Sequence, residues 1–98
     1  MLYVVLFTDE PSHAAVRPRL MPDHLAFLEA NKHRILAAGP LRESADGAAT
    51  HGLWLVDAPD PEAVAALYRA DPFWPTGLRR AVQVWQWSRV FADGQRQI

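Results

Sequence analysis

No cysteine occurs in the 98 residues, which excludes a disulfide framework, a thiol nucleophile and a cysteine-ligated zinc, and fits a reducing compartment. Charge of one sign is lacking too. Lys and Arg number 10 against 11 Asp and Glu, and the basic residues are scattered, so no electrostatic footprint for nucleic acid or anionic lipid is present. We expect neither nucleic acid nor membrane as a partner. The apolar start, Met1 to Phe7, is too short for a membrane span and lacks the basic start and small-residue cleavage site of a signal peptide, so the expected location is cytoplasmic. No Gly-rich phosphate loop is visible, and no cofactor is expected. Ser12, Ser44 and Ser88 lack the strained turn that presents a nucleophile. His13, His33 and His51 have no ligand-like spacing with His24, so no metal site is expected.

What is present is a pattern of short apolar runs. Leu2 to Thr8 reads as a strand with both faces apolar, closed by Asp9-Glu10-Pro11-Ser12. Pro18 or Pro22 could occupy the first turn of a helix that carries Met21, Leu25 and Leu28 and ends near Asn31. Ile35 to Ala38 reads as a second strand, broken by a turn or bulge at Gly39-Pro40, and Asp46-Gly47 marks a hairpin loop before the third strand, His51 to Val56. Asp60-Pro61-Glu62 supplies an N-cap, a first-turn proline and an acid for a second helix with Val64, Leu67 and Tyr68 inward. Ala81 to Phe91 reads as a long last strand. Residues 1–91 then form one domain and 92–98 a polar C-terminal tail.

The order strand, helix, strand, strand, helix, strand is the split arrangement of an α+β, ferredoxin-like (βαββαβ) fold, an antiparallel sheet with two helices on one face. Two helices cover only one face. Alternation sets Leu2, Val4 and Leu6 opposite Tyr3, Val5 and Phe7, and Val82, Val84 and Val90 opposite Trp85, Trp87 and Phe91. An uncovered face carrying those aromatics would be an apolar patch too large for a soluble monomer, and a homodimer through that sheet face is expected.

Two residues invite a functional reading. Asp71, in Asp71-Pro72-Phe73, falls where the second helix ends, against the negative end of its dipole and before a proline that biases it out of the helix. On that placement, removing its charge would stabilise the protein slightly. Its bland use is an Asx-type turn with the backbone after Pro72. His24, expected at the start of the first helix, would feel the positive end of the dipole, which favours the neutral imidazole. A carboxylate on the other ring nitrogen would fix its tautomer and make it a general base. For the two to meet, either the helices run antiparallel or the loop after Asp71 folds back, and loop return is the expectation. Trp74 is expected as a pocket wall. The other tryptophans are read as core and interface, and both Arg79 and Arg80 as a solvated rim, since adjacent strand residues face opposite ways.

With these residues in view, the chain resembles the YCII-related (YciI-like) family of dimeric α+β barrel proteins. The resemblance rests on His24-Leu25-Ala26-Phe27-Leu28, Leu36-Ala37-Ala38-Gly39-Pro40-Leu41, Asp46-Gly47, Gly52, Asp71-Pro72-Phe73 and Gly77-Leu78. It implies a ferredoxin-like protomer, pairing through the sheet, and an active site with His24 and Asp71 as its catalytic pair. Members often carry an arginine three residues before the histidine, where this chain has Met21, with Arg17 and Arg19 further upstream. The expected site is a small-molecule pocket with His24 and Asp71 catalytic and Phe73, Trp74, Gly39 and Pro40 binding substrate. The expected function is cofactor-free acid/base chemistry, an elimination, isomerisation or lyase-type step on a small cyclic or aromatic compound. The alternatives are a non-catalytic metabolite-binding or structural dimeric module of YCII type and a cofactor-independent oxygenase.

Overall fold

The molecule is seen in a computed structural model covering residues 1–98. Strand β1 (Leu2–Asp9) alternates half-buried and buried side chains. It pairs antiparallel with β3 (His51–Asp57) on one side and β4 (Arg79–Gln86) on the other, while β2 (Ile35–Leu41) adds to β3 at the edge, giving the order β2-β3-β1-β4. Helices α1 (Val16–Ala30) and α2 (Pro61–Ala70) lie on one face of this sheet. The α+β ferredoxin-like arrangement is therefore as the sequence implies.

The core lies under the helices. Tyr3, Val5 and Phe7 from β1 and Trp54 and Val56 from β3 meet Val64 and Tyr68 of α2, with Phe27 and Leu28 of α1 against them. Phe7 meets Trp54 and Tyr68 edge-on, at centroid distances of 5.2 and 6.0 Å. Helix α2 starts as its sequence specifies: Asp60 accepts a hydrogen bond from the Ala63 N–H at 2.8 Å, a cap worth about 1 kcal/mol. The other sheet face is bare, with Trp85 61% and Leu53 37% exposed.

Four boundaries differ from expectation. Helix α1 begins at Val16, with Pro18 in its first turn and Pro22 inside it, so His24 sits in mid-helix rather than at the start. Strand β2 runs through Gly39-Pro40, and its irregularity falls between Ile35 and Ala37. An edge strand tolerates the proline because its missing N–H faces no partner. Strand β4 stops at Gln86, because β1 begins at Leu2 and offers nothing beyond the Trp87 N–H to Leu2 carbonyl bond of 2.9 Å. The C-terminal residues form a minimal hairpin, β5 (Phe91–Ala92) with β6 (Gln95–Arg96), turned by Asp93 and Gly94 at positive φ.

Candidate active site

Strands β1 and β3 are antiparallel, and each is followed by a helix that returns across the sheet, so α1 and α2 are antiparallel to each other. The end of α2 therefore comes beside α1, without the loop return expected from sequence. Asp71 caps α2 in an extended conformation (φ −67°, ψ 135°), as the following proline requires, and this turns its carboxylate inward. His24 points in because Val16, Leu20, His24, Phe27 and Leu28 recur at helical spacing on the face that meets the core.

The two side chains meet. His24 Nδ1 lies 2.8 Å from Asp71 Oδ1, both residues being buried. The same oxygen accepts the Phe73 N–H at 3.2 Å, so the Asx-type turn and the dyad coexist. Oδ2 accepts from Arg79 Nη1. Burial pushes the Asp71 carboxyl up, but the His24 hydrogen bond, the Arg79 charge, the His24 charge and the Phe73 N–H together outweigh it and hold it below the ordinary carboxylate value. An ionised carboxylate only accepts, so His24 carries a proton on Nδ1, and the neutral ring presents a lone pair on Nε2. Phe73 stacks on the imidazole at a centroid distance of 4.1 Å and 16° between planes, which fixes the ring from behind.

A cavity of about 90 Å³ opens between α1 and the β2–β3 edge, and His24 forms part of its wall. Gly39 and Pro40 of β2 line it. Phe73 and Trp74 do not. Phe73 is fully buried behind His24, and Trp74 packs on Tyr68 at 4.9 Å, so the expectation of Trp74 as a pocket wall is corrected. No group of three or more His, Asp or Glu side chains is placed to hold a metal ion.

Two arginines outside the expected site stand at this cavity. Arg17, two helical turns before His24, lines it together with Met21. Its guanidinium is held by Asp9 through paired bonds of 2.7 and 2.8 Å. It lies against Gly52, where a Cβ would touch Arg17 Nη2 at 3.4 Å. Arg17 and Met21 lie one turn apart on the same helix face, a placement legible only once the helix is known to begin at Val16. Arg79 is buried rather than a solvated rim residue, whereas Arg80 is exposed. The cause is a bulge: Thr8 pairs with Ala81 but Asp9 pairs with Arg79, so Arg80 is skipped and the alternation of β4 changes sides. Burial lowers Arg79 from the ordinary arginine value against the opposing charge of Asp71.

The chain belongs to the YCII-related family, whose domain model matches residues 1–88. Among solved structures it is similar to the 5-chloro-2-hydroxyhydroquinone dehydrochlorinase TftG from Burkholderia phenoliruptrix, in complex with 2,5-dihydroxybenzoquinone. That likeness has a TM-score of 0.80 and 29% identity over 90% of this chain and 94% of that one. An antibiotic biosynthesis monooxygenase shares the fold at TM-score 0.51 and 17% identity, over 92% of this chain and 99% of that one. No curated protein matches at a significant level. No helix is long and apolar enough to cross a membrane.

Proposed function

We propose that the protein is a cofactor-free enzyme in which His24, oriented by Asp71, moves a proton on a small cyclic or aromatic compound, most simply in an elimination. The observation that carries this reading is the 2.8 Å bond between His24 Nδ1 and Asp71 Oδ1 with a cavity beside the same ring. The similarity to a dehydrochlorinase crystallised with a hydroxylated quinone supports both the reaction class and a hydroxylated ring as substrate.

In such an elimination Nε2 takes a proton from an acidic O–H or C–H of the ring compound. The electron pair left behind forms a new π bond and expels the leaving group with its own pair, so that one molecule of acid is lost and nothing is oxidised or reduced. Asp71 stabilises the imidazolium, and Arg79 keeps Asp71 ionised throughout. Nε2 then returns its proton to water. Met21, Leu25 and Leu28 give the cavity an apolar wall from α1, and Trp54 one from β3. Such walls suit a ring face and weaken competition from water.

We propose further that the bare sheet face pairs with the same face of a second copy. Val4, Leu6, Leu53, Leu55 and Trp85 share that face by register, and a two-fold contact would bury them. The cysteine-free chain fits a reducing compartment, and we place the enzyme in the cytoplasm.

The test is turnover of a chlorinated hydroxyhydroquinone, followed by halide release and quinone absorbance, in the natural chain and His24→Gln, with the unsubstituted compound, which has no leaving group, as the control. The expected result is a loss on the order of 10² to 10⁴ with the melting curve and ligand affinity retained. Turnover unchanged in His24→Gln would remove His24 from the chemistry. A ligand bound but never converted by either protein would favour the metabolite-binding alternative.

A further inference from the structure

Arg79 is buried, and most of its donors have no protein acceptor. A guanidinium carries five N–H groups. Here only Nη1 has a protein acceptor, Asp71 Oδ2, and Nε is buried with none. The side chain is 3% exposed, and Nε is the one donor both enclosed and without a partner. Its central carbon lies 3.8 Å from the centre of the Phe7 ring, with Trp54 and Phe73 at 5.1 and 5.4 Å. A cation–π contact engages the face of the group and leaves its in-plane N–H donors free. Buried donors of this kind are ordinarily matched, and an unmatched one calls for an explanation.

The surroundings indicate what would match them. Arg79 shares the cavity wall with Arg17 and His24, and no carboxylate lines it. Asp9 and Asp71 neutralise the arginines from outside the cavity: Asp9 takes two bonds from Arg17, and Asp71 takes His24, the Phe73 N–H and Arg79. Two guanidinium groups and the imidazole therefore border a space with no negative charge of its own.

We propose that Arg79 is a ligand-binding residue whose free N–H edge receives an anionic oxygen of the substrate, so that the site selects ring compounds ionised at a hydroxyl over their neutral analogues. The proposal rests on the reading of His24 and Asp71 as the acid/base pair and extends it. Proton removal by Nε2 puts negative charge on the ring oxygens, and a fixed, dehydrated guanidinium stabilises that charge more strongly than water would. One arginine then serves both ends of the reaction: Nη1 holds the carboxylate that orients the base, and the remaining edge holds the oxygen that the base has uncovered.

Calorimetric binding of two probes tests this. The first is 2,5-dihydroxybenzoquinone, the molecule bound in the similar dehydrochlorinase. It is a vinylogous acid, anionic at neutral pH. The second is hydroquinone, a neutral phenol under the same conditions. The natural chain should bind the anion about 10- to 100-fold more tightly than hydroquinone, the span expected of a charged hydrogen bond. Arg79→Lys keeps a cation beside Asp71 but loses the planar fork, and should lose most of that preference. Should Arg79→Lys unfold, Asp71→Asn with Arg79→Gln removes both charges together and should lose the preference as well. His24→Gln should keep the preference while losing turnover. Equal affinity of the natural chain for both probes, or full preference in the folded Arg79 variants, would overturn the proposal and leave the acid/base reading standing. Turnover retained in His24→Gln would instead sink the acid/base reading and leave anion selection to its own measurement.

Discussion

Replacing Asp71 by asparagine changes the shape of one side chain hardly at all and its partners completely. The carboxylate is 1% exposed and serves three donors: Oδ1 accepts from His24 and the Phe73 N–H, and Oδ2 from Arg79. An amide has one oxygen. If that oxygen faces Arg79, the NH₂ meets the Phe73 N–H and forces His24 to accept on Nδ1; if it faces His24, the NH₂ meets the guanidinium. Either way Arg79 stays buried without a counter-ion, and breaking a buried pair from one side costs about 3 to 5 kcal/mol. For a domain of this size the lower figure corresponds to a fall in Tm of roughly 12 to 24 °C. Thermal melting followed by circular dichroism measures it, with Asp60→Asn as the control, since asparagine caps a helix as well as aspartate does. The sign is informative. An exposed carboxylate at a helix C-terminus, as the sequence alone suggested, would give a slight gain of about 0.3 to 1 kcal/mol when removed. Turnover should also fall by on the order of 10² to 10⁴, because the amide lets His24 carry its proton on Nε2, where the base is needed. An Asp71→Asn protein that melts with the Asp60→Asn control would refute the claim that Arg79 depends on this charge.

The same carboxylate sets a pH dependence. Its pKa in the folded protein lies below the ordinary value of 3.8, so the stability it contributes is complete above that value and is lost as pH falls through the lower, folded pKa. The difference in Tm between the natural chain and Asp71→Asn should therefore shrink in acid, and a constant difference between pH 6 and pH 2 would contradict it. At the sheet face, Trp85→Glu should leave the protomer folded, since Trp85 is 61% exposed, and should convert a dimer to monomer in sedimentation at micromolar concentration; a monomeric natural chain would refute the pairing. Gly52→Val should crowd Arg17 against Asp9, because a Cβ would already touch Arg17 Nη2 at 3.4 Å and valine carries two methyl groups beyond it, and should weaken binding of the dihydroxybenzoquinone anion about tenfold or more; unaltered binding would show that Arg17 plays no part in the cavity.

Much of this molecule is legible in one dimension. The alternation of β1, the Asp60-Pro61-Glu62 cap and the order of elements specify the fold locally, because strand period, helix capping and turn chemistry depend on residues a few positions apart. His24 and Asp71 could be singled out by residue type and setting, and Gly39 and Pro40 with them. The start of α1 could not be, since no capping side chain marks it and its prolines allow two readings; the dipole argument for His24 failed on that account. The pocket role of Trp74 failed because the three-residue helical turn after Phe73 carries its ring back onto Tyr68.

What only the tertiary structure decided is Arg79. Strict alternation from Val82 and Val84 places Arg80 inward and Arg79 outward, and a single skipped residue opposite Thr8 and Asp9 reverses them. A bulge is a property of two strands in register, set by how the whole sheet pairs and twists, so no window of sequence around Arg79 contains it. The sequence by itself therefore determined the fold and named the histidine and the aspartate, 47 positions apart. The packing of the helices brought those two together, and one extra residue in a strand turned a surface arginine into the buried cation that holds them.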